Sequence, residues 1–228
     1  MKALKIKRNR TLPLWAAYSI LALNEVSYVE KETFNLLLDE LKLQTNFGIY
    51  SVNCFNKVIS EMNDSKDSEN GLELNIKFWY YLQNYVVALG NISKIFNAPR
   101  KPRESPKHYQ IRIKERKEFS RKLDVTDYPH LLDRDMRNFL EHIDEKVVEL
   151  SKTPEANIFN RNIFPSNSIV VNGKSLEDSG IKMLRNYITD QQKLVLYGKE
   201  FSIKDTLPEL LKLRDKIMEV ERDEELRS

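Results

Sequence analysis

Apolar residues recur at helical spacing through most of this chain, and polar or proline-rich interruptions divide it into segments. Residues 14–62 read as helix throughout, weakest near Asn24–Ser27 and Thr45–Gly48. Leu36, Leu37, Leu38 and Leu41 mark one apolar face, and Val52, Phe55, Val58 and Ile59 another. The polar run Asn63–Gly71 reads as a loop. Leu72–Phe96 returns to helix; its aromatic and β-branched content would suit a strand, but its length decides for helix. Phe78, Trp79, Tyr80, Tyr81 and Tyr85 within it read as core rather than as platforms for stacked bases. Three prolines between Asn97 and Pro106 then end any helix. Residues 107–123 resume it with a narrow apolar face of Tyr109, Ile113, Phe119 and Leu123. A turn over Asp124–Tyr128 leads to Pro129, suited to a first helical position with Asp127 or Tyr128 as cap, and that helix runs to about Lys152.

After Pro154 the pattern changes. Residues 155–168 are loop-like, and Ile169–Val171 reads as a short strand turning at Asn172-Gly173. Met183–Ile188 and Lys193–Tyr197, ending at Gly198, pair as a hairpin, and Asp205 or Thr206 caps a last helix near Pro208. The expected fold is therefore mainly α. A helical bundle over 1–154 carries a small extension over 155–228, a β-hairpin plus a helix laid on the bundle.

The helix entered at Pro129 carries the chemistry. Leu132, Met136, Phe139, Leu140, Ile143, Val147 and Leu150 form one stripe about 100° wide. His142 lies just off one edge, with Asn138 one turn behind it and Arg134 further round; Arg137 lies off the other edge with Glu141 and Asp144. The string Arg137-Asn138-Phe139-Leu140-Glu141-His142 resembles the R-x-x-x-x-H signature of the HEPN superfamily, and the wider run to Glu145 looks most like a group of bacterial HEPN-like proteins. The resemblance covers residues 10–152 and implies a HEPN-like helical bundle. It also implies a metal-independent endoribonuclease, in a bacterial defence or toxin–antitoxin setting.

Such cleavage uses the 2′-hydroxyl of RNA as nucleophile. It needs a proton carrier active near neutrality, which histidine with its unperturbed pKa of about 6.5 supplies, and a cation for the extra phosphate charge, which arginine supplies. By the resemblance, His142 and Arg137 take those roles. Asn138 is placed to hydrogen-bond the imidazole or a phosphate oxygen, Glu141 to orient Arg137, and Arg134 to add a phosphate contact. On one ideal helix Arg137 and His142 point about 140° apart, so a composite site in a homodimer is expected. The alternative is a non-catalytic nucleotide-binding or protein-interaction module, and a purely structural protein is a third reading. A nuclease would set Arg137 and His142 in an open basic cleft, whereas a structural protein would bury both in ion pairs.

Charge adds a second feature. The whole chain carries a net of only +3, but residues 100–122 hold ten Lys/Arg against three Glu, a net of +7 that leaves −4 elsewhere. Arg112, Arg116 and Arg121 in this segment are the candidate RNA contacts. The partners expected are thus RNA, a second copy of the chain, and an antitoxin or other protein. The three histidines, His108, His130 and His142, are too dispersed for a metal motif, and Cys54 is the only cysteine, so neither metal nor cofactor is expected. A lone Cys54 among apolar neighbours fits a reducing cytoplasm. The basic N-terminus before Leu12–Leu23 mimics a signal sequence, but the apolar run is too short to span a bilayer and reads as a buried first helix, with no membrane association.

Overall fold

The helical pattern of the N-terminal part continues without interruption. In the computed structural model α1 spans Leu14–Asp64, 51 residues, and runs through both positions where a break was weighed. The structure describes residues 14–64, 70–97, 100–133, 135–152, 158–166 and 181–226, with side chains from residue 31 onward apart from Glu225. The reading of Leu12–Leu23 as a buried face therefore lies outside the described side chains. Two compact units divide the chain, Met1–Asp39 and Glu40–Ser228. The first is helical from Leu14 on; the second holds every other element.

Within the second unit α2, Gly71–Phe96, supplies the largest apolar face: Leu74, Phe78, Leu82, Tyr85, Leu89, Ile92 and Phe96 are all buried, at spacings of one helical turn. Phe55 of α1 meets the Phe78 ring at 5.7 Å, and Phe78 meets Tyr187 at 5.0 Å. Each such buried ring contributes about 1.5–3 kcal/mol through area removed from water. The Tyr85 hydroxyl lies 2.6 Å from Thr206 Oγ1, giving this deep polar atom a partner, and burial pushes its pKa well above the ordinary tyrosine range. The aromatics of α2 split: Phe78 and Tyr85 are core, whereas Tyr80 faces solvent.

The basic helix α3, Pro106–Lys122, begins on a Ser105 cap whose Oγ accepts from His108 N–H at 3.3 Å. A 3₁₀ turn, Val125–Asp127, follows. Pro129 does not open the next helix. Residues 129–133 form a turn because Glu209 accepts hydrogen bonds from the backbone N–H groups of His130 and Leu131, at 2.9 and 3.0 Å. Helix α4, Asp135–Glu141, starts beyond it, where Asp133 Oδ1 accepts from Asp135 N–H at 2.8 Å. The expected single helix is broken, with α5 running over Ile143–Ser151.

The C-terminal region is richer in strands than its sequence suggests. A four-stranded sheet has the order β1 (Ile158–Phe164), β2 (Lys182–Ile188), β3 (Lys193–Leu196), β4 (Lys199–Ser202). β1 runs parallel to β2, and the other pairs are antiparallel. β1 falls in the stretch read as loop. Its register shifts between Phe159 and Asn162, with Arg161 at φ +62°, which erases the alternation that marks a strand. The fully buried Asn186 amide repairs that irregularity by donating to Phe159 O at 3.0 Å and accepting from Asn162 N–H at 3.2 Å. The β2–β3 pairing matches the expected hairpin, but Gly198 joins β3 to β4: Tyr197 and Gly198 both have positive φ, as a two-residue turn of this hand requires. The expected strand at Ile169–Val171 lies outside the described residues. Helix α6, Ile203–Glu225, is capped by Ser202, whose Oγ accepts from Asp205 N–H at 3.2 Å; Asp205 and Thr206 lie inside it. Among the described residues no helix is long and apolar enough to cross a membrane.

Candidate active site

The strand–helix surroundings hold α4 from two sides. Ser93 Oγ of α2 donates to Leu132 O at 3.1 Å just before it, the Phe139 ring lies edge-on to Phe201 of β4 at 6.0 Å, and Lys199 of β4 pairs with Asp135. α5 has different anchors: Leu150 is buried, and Lys146 Nζ sits 4.6 Å from the centre of the Tyr197 ring. His142 is the junction. Its dihedrals, φ −107° and ψ +28°, leave the helical range, yet its N–H still donates to Asn138 O and its C=O still accepts from Lys146 N–H, at 3.1 and 3.2 Å. Two short helices with separate anchors replace one straight one. Of the outer half of the expected apolar stripe, Leu150 is buried but Val147 is exposed, beside the equally exposed Val148.

Arg137 and His142 sit in opposite environments. The stem of Arg137 lies on the backbone of α2 at the buried Gly90, where an added Cβ would stand 2.8 Å from Arg137 Cγ and 2.9 Å from Cβ, and would overlap Cδ. A glycine inside a helix costs about 1 kcal/mol relative to alanine, and this close approach is the reason it is tolerated. The Arg137 side chain is only 15 % exposed, and its Nη2 pairs with Glu141 one turn on. The His142 side chain is 58 % exposed, with Nδ1 3.0 Å from Glu145 Oε1. That contact uses Nδ1, and Nε2 has no hydrogen-bond partner among the described residues, as a histidine that exchanges a proton with a substrate needs. Asn138 contributes its carbonyl to His142; its side chain is exposed and has no hydrogen-bond partner among the described residues. Arg134 lies outside the described residues. Arg137 and His142 pair with different carboxylates, Glu141 and Glu145, and no hydrogen bond or ion pair joins them among the described residues.

The three arginines of α3 also differ from one another. Arg112 is a clamp on the proline-rich turn before its own helix: Nε and Nη2 donate to Glu104 Oε1 and Oε2 at 2.9 and 2.6 Å. The Lys101 N–H adds a bond to the same carboxylate at 3.0 Å. Arg112 first, and that amide second, hold the Glu104 carboxyl down at about 2. Arg121 is exposed and only 4.0 Å from Glu118 at its closest, so it is free to meet a phosphate. Arg116 is half-buried, its pKa lowered chiefly by desolvation, and its Nη1 has no acceptor among the described residues. A buried donor left unpaired costs about 1–3 kcal/mol.

Three residues important to this geometry were not singled out in the sequence. Glu145 was read only as the end of the motif string, and Gly90 was visible as an isolated glycine inside a helical pattern, which often marks a close contact. Glu209, which pins the turn before α4 and also contacts His130 Nδ1 at 2.6 Å, gives no local signal because its partners lie nearly 80 residues away. Among the described residues no three His, Cys, Asp or Glu side chains converge as a metal ion would need. Compared with protein-family models, with curated proteins and with solved structures, the chain matches none.

Proposed function

We propose that the chain is a HEPN-like, metal-independent endoribonuclease whose site is completed by a second copy. The observation that carries this reading is His142: an exposed imidazole at a helix junction, held through Nδ1 by Glu145, with no partner on Nε2 among the described residues. In the reaction, His142 takes the proton of an RNA 2′-hydroxyl. The 2′-oxygen bonds to phosphorus, the P–O5′ bond breaks, and a proton is delivered to the departing 5′-oxygen. The product ends are a 2′,3′-cyclic phosphate and a 5′-hydroxyl. Arg137, pre-set by Gly90 and Glu141, faces the partner copy's scissile phosphate and offers its nitrogens to the charge that develops there.

The surface supports pairing. Leu43, Phe47 and Tyr50 of α1 and Tyr80 and Val87 of α2 are exposed, and the two helices adjoin, with Asn91 Nδ2 donating to Gln44 Oε1 at 3.2 Å. Val87 stands three residues before Gly90, about 60° away around α2, so this apolar strip reaches the edge of the Arg137 contact. Exposed aromatics at such spacing fit a two-fold interface. RNA would reach the site across the basic surface of α3.

One observation favours the second reading, a non-catalytic nucleotide-binding or protein-interaction module: Arg137 is already neutralised by Glu141, which weakens it as a phosphate clamp. The test is cleavage of total RNA in EDTA by the wild type beside His142→Ala at equal concentration. Cleavage by wild type alone, with cyclic phosphate ends, supports the nuclease. Equal cleavage by both points to a contaminant or a different site, and none by either moves the assignment to the binding module.

A further inference from the structure

The β1–β2 pair sets two arginines side by side. Asn160 stands opposite Arg185 and Asn162 opposite Asn186, so Arg161 is the extra residue of the bulge, next to Arg185. Arg185 lies on the same face of β2 as the buried Tyr187, two residues on. Its Nε donates to the neutral Asn160 Oδ1 at 3.0 Å. Its two Nη atoms have no partner among the described residues and keep contact with solvent. Arg161 is exposed. Neither arginine has an ion pair among the described residues.

Two features show that these charges are placed and not merely tolerated. The first is the backbone of Arg161, at φ +62°, a left-handed conformation that costs an ordinary residue about 1–2 kcal/mol and that glycine adopts freely. Its carbonyl is clamped from α2, where Asn75 Nδ2 and Trp79 Nε1 both donate to it at 3.0 Å. A long cationic side chain therefore occupies a position that suits glycine, on a backbone fixed by two donors. The second feature is what surrounds Arg185. Arg112, equally half-buried, is neutralised by Glu104. Arg185 has another cation beside it instead. Burial first, and the Arg161 charge second, lower its pKa. Such an arrangement works against the fold unless an anion completes it. A single carboxylate would neutralise one guanidinium and leave the other. A doubly charged tetrahedral group neutralises both, and its oxygens accept from both at once.

We propose that Arg161 and Arg185 together bind a phosphate dianion, either the free ion or the phosphate of a phosphorylated serine side chain. The site stands apart from the chemistry at His142 and from the arginines of α3. Titration calorimetry on the full chain tests it at constant ionic strength and about pH 8, where phosphate is mainly doubly charged. The ligands are inorganic phosphate, a Gly-phosphoserine-Gly peptide with its unphosphorylated form, acetate, and an oligoadenylate with hydroxyl ends. Inorganic phosphate or the phosphopeptide is expected to bind saturably, and whichever binds more tightly identifies the source. Acetate, the plain peptide and the oligoadenylate should each be about tenfold weaker or more.

Arg161→Asn should weaken phosphate by about tenfold or more with an equal or higher melting temperature, because asparagine suits the left-handed φ and the repulsion is gone. Arg185→Gln should weaken it likewise. Arg222→Gln, at an exposed position on α6, is the control and should change nothing. Four results would overturn the proposal: no saturable binding of either phosphate ligand, acetate as tight as phosphate, oligoadenylate as tight as phosphate, or unchanged phosphate affinity in Arg161→Asn. Cleavage is not part of the readout, so phosphate binding by a protein that cuts no RNA would sink the nuclease and leave this site standing.

Discussion

The two halves of the 137–142 segment solve different problems. α4 is built into the fold: its arginine lies on a glycine of α2, its phenylalanine on a ring of β4, and its first residue is tied to Lys199. α5 begins at an exposed histidine and presents Val147 and Val148 to solvent. A residue fixed by the fold can be placed precisely by it but cannot be removed cheaply; an exposed one can be lost without structural cost, so its presence asks for a role outside the monomer. α3 repeats the contrast, with Arg112 locked on Glu104 and Arg121 open.

The largest expected effect lies on the open side. His142→Ala should lower RNA cleavage by about 10²–10⁴-fold, the usual worth of a general acid–base group. Its melting temperature should stay close to wild type, because an exposed pair such as His142–Glu145 contributes about 0–1 kcal/mol. Unfolding of this variant would place His142 with Arg137 in the structural class. On the built-in side, Gly90→Ala should destabilise by up to about 2 kcal/mol: overpacking costs about 1–3 kcal/mol, and helix propensity returns about 1. Gly71→Ala is the control, since nothing lies within 4 Å of a Cβ there, and it should be neutral or slightly stabilising in the same denaturant titration.

The smaller effects sharpen the comparison on α3. Glu104 has its folded-state pKa depressed to about 2, below the value of about 4.3 for an unfolded glutamate. Its ionised form is therefore favoured by the fold: the stabilisation is complete above about pH 4.3 and is lost as pH falls towards 2. The protection of amides 100–112, relative to their intrinsic exchange rates, should fall down that range in the wild type, and in Glu104→Gln it should already be low at pH 7. Smallest is Glu145→Gln, expected to cost about tenfold or less in cleavage, since the partner only steadies an imidazole already at the surface.

Much of this was legible in the sequence for a physical reason: helices announce themselves through their apolar period, and α1, α2 and α3 fall close to where Leu36–Ile59, Phe78–Phe96 and Tyr109–Leu123 place them. What was not legible depends on partners distant in sequence. The break at His142 follows from separate anchors on Phe201 and Tyr197, the late start of α4 follows from Glu209, and β1 hides behind a bulge repaired by Asn186. The motif string placed Arg137 and His142 on one helix; it carried no sign that one would be laid against Gly90 and the other left in solvent. The same held for the arginines of α3, equal in composition and unlike in surroundings.

The central claim is that Arg137 of one copy works with His142 of another, and mixing two variants tests it most directly. Arg137→Gln keeps the Cβ, Cγ and Cδ atoms that rest on Gly90 and removes the guanidinium. His142→Ala removes the imidazole. Each alone should leave RNA uncut in EDTA. When the two are mixed and allowed to exchange subunits, half of the dimers are mixed and each of those has one intact composite site, so about a quarter of wild-type cleavage should return. A mixture as inactive as either variant alone, beside an active wild type, would contradict the shared site.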